Sequence, residues 1–211
     1  MSDPNYTAVM LLVDRSGSME EIREAAEGGI NEFINSQRNT TGRRTIRIAQ
    51  FDSPEHPDET VCPSTDPKDI PRFVLEPRGM TALLDAIGRS IAEFGAELYN
   101  LTEDQRPGTV IFAIMTDGLE NASREFTWPL IKARLERAQQ EDGWQVLYLG
   151  ANQDAIAVGH KLGVPRGRTM TYTATDHGTR SATHFLSSYV AAAAAGTPTD
   201  FTDEQRKDAA S

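Results

Sequence analysis

Two uninterrupted apolar runs, Val9-Met10-Leu11-Leu12-Val13 and Val110-Ile111-Phe112-Ala113-Ile114-Met115, constrain the fold of this chain more than any other feature. A strand with one wet face alternates apolar and polar residues, whereas a continuous run is what a strand covered by helices on both faces requires. Two further runs, Thr45–Phe51 and Trp144–Leu149, join Ala8–Val13 and Thr109–Met115 to make four predicted strands. Between them, Ile22, Ala26, Ile30, Phe33 and Ile34 keep one helical stripe, and Leu83, Leu84, Ile87, Ile91 and Phe94 keep a second. A third helix is predicted over Pro129–Gln140, a fourth over Gln153–Leu162 before Gly163, and a last one over Asp176–Ala195, preceded by an edge strand at Thr169–Tyr172. The segment Asp52–Asp69 is rich in Pro, Asp, Ser and Glu and reads as a loop with at most one short strand near Thr60–Cys62. This alternation predicts an α/β fold, a doubly wound, mainly parallel central sheet with helices on both faces. One domain is expected over residues 1–196, followed by a polar C-terminal tail over 197–211 in which Thr202-Asp203-Glu204-Gln205 offers the caps of a short helix.

Charge narrows the partners. With 31 acidic against 21 basic side chains in 211 residues, the formal charge is −10, which repels phosphate backbones and anionic lipid surfaces. Neither nucleic acid nor a membrane is therefore expected as a partner, and no apolar segment is long enough to span a bilayer. The N-terminal residues lack the basic stretch and apolar core of a signal peptide, and the single cysteine, Cys62, forms no internal disulfide. A cytoplasmic monomer is the expectation.

Ligands of open α/β sheets bind beyond the carboxyl ends of the strands. There the first central strand runs into Asp14-Arg15-Ser16-Gly17-Ser18, which sets a carboxylate and two hydroxyls on alternate residues. The strand beginning at Thr109 ends in Thr116-Asp117-Gly118, and the loop Arg78-Gly79-Met80-Thr81 offers a hydroxyl at a helix start. Oxygen-only donors of this kind suit a hard divalent cation such as Mg²⁺, with Mn²⁺ or Ca²⁺ as alternatives.

Asp14-x-Ser16-x-Ser18, Gly79-x-Thr81 and Thr116-Asp117-Gly118, in this order, resemble the metal-ion-dependent adhesion site (MIDAS) of the von Willebrand factor type A family, in particular its small stand-alone bacterial members. The resemblance covers about Ala8 to Ala195 and implies a Rossmann-like fold. It implies that Ser16 and Ser18 bind the cation directly, that Asp14 and Asp117 bind it directly or through water, and that Thr81 is a switchable ligand. It further implies that an Asp or Glu of a partner protein takes the remaining position, as in an intracellular adaptor accompanying an ATPase or kinase of the same system.

Arg15, Arg78 and Arg124 lie beside the three loops, which suggests a positive collar that steers an acidic ligand; ordinary solvated arginines are the plainer reading. Glu120 and Asn121 suit either the positioning of water and partner or simple turn chemistry. Enzyme readings fare less well. There is no Gly-x-Ser-x-Gly elbow and no Gly-x4-Gly-Lys-Ser/Thr loop, and His56, His160, His177 and His184 have no metal-binding spacing. Mg²⁺-dependent phosphotransfer at a strand-end aspartate is the enzymatic alternative, although Ser16 stands where a second aspartate would be needed. A scaffold that binds no metal is the other alternative.

Overall fold

The structure, a computed structural model, describes residues 2–56 and 58–211. Its strands are β1 (Asp3–Asp14), β2 (Arg43–Phe51), β3 (Glu59–Thr65), β4 (Pro107–Thr116), β5 (Gln145–Ala151) and β6 (Thr169–Tyr172). Its helices are α1 (Arg23–Gln37), α2 (Leu83–Tyr99), α3 (Trp128–Gln140), α4 (Ala155–Leu162), α5 (Asp176–Ala194) and α6 (Asp203–Ala209). Among the described residues the sheet has six strands in the order β3-β2-β1-β4-β5-β6. Only the β2–β3 pair is antiparallel; the others are parallel.

The doubly wound arrangement follows from the apolar runs. Val9, Leu11 and Val13 of β1 pack on Ile30, Phe33 and Ile34 of α1 and on Ala182 and Leu186 of α5. The alternate residues Ala8, Met10 and Leu12 pack on Leu84, Ile87 and Phe94 of α2 and Ile131 and Leu135 of α3. Strands buried on both faces favour apolar side chains, so β1 from Ala8 and β4 from Val110 stay apolar until Asp14 and Thr116 at their carboxyl ends. From β1 the chain winds outward to β2 and β3, then crosses back to β4 on the other flank of β1. The carboxyl ends of β1 and β4 thus adjoin where the winding reverses, which is where such sheets open a crevice.

Several boundaries depart from expectation. β1 starts at Asp3 rather than Ala8, and β3 extends from Glu59 to Thr65, because pairing with a neighbour recruits polar residues that carry no apolar signal. Helix α4 begins at Ala155, where Asp154 caps it by accepting from the Ala157 N–H at 2.9 Å.

The larger correction concerns the residues after Gly196, expected to be a polar tail. They fold back onto the domain. Phe201 is buried and lies 5.8 Å from the Tyr189 ring, and Ala209 is buried in the same core as β6 and α5. Thr202 and Gln205 form the reciprocal capping box that the sequence offered. Arg206 donates to the carbonyls of Arg166, Thr169 and Phe201, and Ser181 Oγ donates to Asp208 at 2.7 Å. Two apolar side chains, eight residues apart, suffice to dock a segment that is polar elsewhere. Among the described residues no helix is long and apolar enough to cross a membrane.

Candidate metal centre

Asp14 is the last residue of β1, and neither of its carboxylate oxygens is free. The Ser16 N–H donates to Oδ1 at 2.6 Å, and Thr116 Oγ1, at the end of β4, donates to Oδ2 at 2.5 Å. Its own loop and the neighbouring strand β4 thereby fix the orientation of the carboxylate. Ser16 Oγ lies 3.1 Å from Ser18 Oγ, and Ser18 Oγ donates to Asp117 Oδ1 at 2.7 Å, so the two strand-end loops are joined through hydroxyls. Asp14, Ser16 and Thr116 are buried, while Ser18 is exposed and Asp117 half-buried, giving the site a dry floor and a wet mouth.

Thr81 comes from the third loop. Gly79 holds that loop in the left-handed region at φ +71°, and its carbonyl accepts from the Gly17 N–H at 3.1 Å. Asn121 grips Thr81 from both sides: its side-chain oxygen accepts from the Thr81 N–H at 3.0 Å, and its own N–H donates to the Thr81 carbonyl at 3.1 Å. The three loops meet above Gly118. A methyl group built on its Cα would sit 2.4 Å from Thr81 Oγ1, 3.1 Å from Asp14 Oδ2 and 3.2 Å from Ser16 Oγ. Oxygens from two loops, Asp14 and Ser16 from the first and Thr81 from the second, therefore face the Gly118 Cα of the third across space that a Cβ there would fill. The five expected donors are brought together: Asp14, Ser16 and Thr81 around this space, Ser18 and Asp117 joined to them by hydrogen bonds.

Burial pushes the Asp14 carboxyl up from 3.8 to about 6, against the pull of the Thr116 and Ser16 hydrogen bonds and with a further push from Asp117. Burial raises Asp117 as well, offset in part by Ser18, and Glu21 adds to the rise. No positive side chain is among the partners of the two carboxylates, so their negative charge is left unbalanced at the site. Without the cation, protonating Asp14 stabilises the fold: that contribution is complete below about pH 4 and is lost as the pH rises through about 6. Asp14→Asn mimics the protonated form, and the Thr116 hydroxyl can turn its proton to the Gly118 carbonyl 3.0 Å away. In chelator, the melting temperature of Asp14→Asn relative to wild type is expected to climb between pH 4 and pH 7. A flat difference would show that Asp14 is not titrating in this range.

The expected collar of free arginines is not what these residues form. Arg15 is buried, with its Nε 2.8 Å from Asp52 Oδ2 and its Nη1 2.5 Å from Glu59. Arg78 Nε shares Asp52 Oδ2 at 2.8 Å, and Arg124 pairs with Glu55 at 2.5 Å. Each charge is already met by a carboxylate, so little field is left over for steering. Glu120 is likewise committed: it accepts from the Leu84, Ala122 and Ser123 N–H groups and from the Ser123 hydroxyl, capping α2 and fastening its own loop.

Three supporting residues escaped the sequence reading. Thr116 lay within the quoted motif without a role. Asp85 sits buried in the first turn of α2 and accepts from the Arg124, Glu125 and Phe126 N–H groups at 2.8–2.9 Å, and a carboxylate inside the apolar stripe Leu83–Ile87 was its signal. Asp52 follows the last residue of β2, one position beyond the register of Asp14, and a carboxylate at that strand end was its signal.

The sequence matches no family profile and no curated protein. Solved structures do match. The vWF domain of the type V pili tip protein Mfa5 from Porphyromonas gingivalis superposes with a TM-score of 0.62 at 12% identity, over 93% of this chain and 98% of that one. The chain has the von Willebrand factor type A fold. A von Willebrand factor type A protein from Catenulispora acidiphila gives a TM-score of 0.59 at 14% identity, over 88% of this chain and 42% of that one. Proximal thread matrix protein 1 from the mussel byssus, in a form with a zinc-occupied MIDAS motif, gives 0.58 at 12% identity, over 90% of this chain and 46% of that one. The chain thus spans less than half the length of two of these proteins.

On this type A fold, the donors fit a hard divalent ion. Among the described residues no group of three or more His, Cys, Asp or Glu could hold a metal. The present donors are two carboxylates and three hydroxyls, and the hydroxyls escape such a criterion while serving hard cations well.

Proposed function

We propose that this chain is a metal-dependent protein-binding module in which Asp14, Ser16, Ser18, Thr81 and Asp117 hold a divalent cation, most readily Mg²⁺, and an acidic side chain of a partner protein completes its coordination. The observation that carries the reading is the convergence of Thr81, Asp14 and Ser16 oxygens on the bare Cα of Gly118. When bound, the ion supplies a positive centre at the mouth of the site, and the neutral hydroxyl donors leave it charge with which to attract an outside carboxylate. Asn121 and Gly79 keep Thr81 at the rim, Thr116 and the Ser16 N–H hold Asp14 in place, and exposed Ser18 borders the open side. Phosphotransfer is disfavoured because both oxygens of Asp14, the residue that would attack, are engaged and buried. As a cytoplasmic adaptor the module would serve a partner ATPase or kinase, having no phosphate-binding loop of its own.

Titration calorimetry tests this directly. Wild type is expected to bind Mg²⁺ or Mn²⁺ and Asp14→Ala to bind neither; an absence of heat with the wild type under both metals would overturn the proposal.

A further inference from the structure

Exposed large apolar side chains are scarce on this surface: among the described residues they are Val74, Met80, Tyr99, Leu119 and Leu130. Two of them flank the point where the loops converge. Met80 precedes Thr81 and is 45% exposed, and Leu119 follows Gly118 and is 62% exposed. Neither is a loose excursion. The Met80 N–H donates to Ser53 Oγ at 2.8 Å, the Gly118 N–H donates to Thr116 Oγ1 at 3.1 Å, and the Asn121 side chain fastens Thr81. The backbone thus presents both side chains to solvent next to residues of the donor set, and an isolated exposed leucine would not carry that meaning. Methionine also adapts its shape to varied apolar partners.

The charge of the rim adds a second requirement. Arg78 and Arg124 are neutralised by Asp52 and Glu55, whereas Glu21, three residues after Ser18, is exposed and in no ion pair among the described residues. Glu20 beside it is exposed and meets Arg23 only at 3.5 Å. With a formal charge of −10 for the chain, an acidic partner surface would be repelled, and a lone carboxylate has to arrive in basic surroundings.

We infer that the partner is a protein loop carrying one acidic residue beside an apolar one in a basic context, the apolar side chain seating against Met80 and Leu119 and the basic groups facing Glu20 and Glu21. This rests on the cation-dependent reading above. The test uses a random library of displayed loop peptides selected on the full chain in Mg²⁺ and eluted with EDTA. Eluted peptides are expected to carry an Asp or Glu with Leu, Ile, Met or Phe within two positions and an excess of Lys and Arg. On the double variant Met80→Ser/Leu119→Ser the acidic residue should persist, the apolar preference should vanish, and affinity for the wild-type consensus peptide should fall about tenfold. Unchanged Mg²⁺ affinity of that variant shows that its site is intact. An acidic residue selected by the wild type without an apolar or basic neighbour, or the same consensus from both proteins, overturns this inference alone. If EDTA elutes nothing, or if the eluted peptides lack an acidic residue, the cation-dependent reading fails and this inference with it.

Discussion

Gly118→Ala is expected to abolish divalent-cation binding while leaving the fold intact. The added methyl lands 2.4 Å from Thr81 Oγ1, too close for any real contact, so either Thr81 withdraws or the methyl stays in the space the ion needs. Both outcomes remove a donor or the volume. Loss of affinity of about a hundredfold or more follows, at or beyond the upper end of what disturbing the support of a metal ligand costs. The fold should survive, because Gly118 is not in the left-handed region and its methyl meets side-chain atoms only. Calorimetry with Mg²⁺ and a thermal melt in chelator read the two halves separately. An affinity within a few-fold of wild type would show that the ion does not sit above Gly118.

Asp52→Ala is expected to have the largest effect on stability, at about 3–5 kcal/mol, the cost of breaking a buried ion pair from one side. The Asp52 carboxylate is fully buried and meets Arg15, Arg78, His56 and the Ser53 N–H. Burial alone would raise its pKa, but the hydrogen bonds from Arg78 and His56 and the charge of Arg15 hold it below the usual carboxylate value. Removing it strands buried Arg15 with only exposed Glu59. The backbone of the same segment holds the Thr81 loop, with the Ala82 N–H donating to the Asp52 carbonyl and the Met80 N–H to Ser53 Oγ. Cation affinity should therefore fall along with the melting temperature. Chemical denaturation of the variant measures the first effect, and a loss below about 1 kcal/mol would mean that the arginines find other partners or reach water.

These residues also show what was legible beforehand. The doubly covered sheet could be read because continuous apolar runs are a local property, and the donors could be read because each loop carries its oxygens within a few residues. Electrostatic partnership is not local. Arg15 meets Asp52 and Glu59, and Arg124 meets Glu55, across sequence separations that only the winding of the sheet closes. A collar inferred from adjacency in sequence accordingly turned into four ion pairs among three arginines and three carboxylates. Similarly, Phe201 and Ala209 sit in a segment whose average polarity outweighs them, and the core that receives them is assembled from β6, α5 and β1. Asp85 falls between these cases, since its place in the apolar stripe was visible but its partners at Arg124–Phe126 were not.

The docking of α6 bears on how the molecule behaves in company. A central sheet has two flanks whose unpaired backbone groups invite a second chain to add a strand. Here one flank is β3, interrupted by Pro63, and the other is β6, only four residues long. Arg206 takes the Thr169 carbonyl at the start of β6, and the Thr173 N–H just past its end is spent on the Ala209 carbonyl at 2.9 Å. The C-terminal helix thus occupies backbone groups at both ends of the β6 edge, and removing residues 197–211 is expected to expose that edge and raise self-association, which light scattering would read.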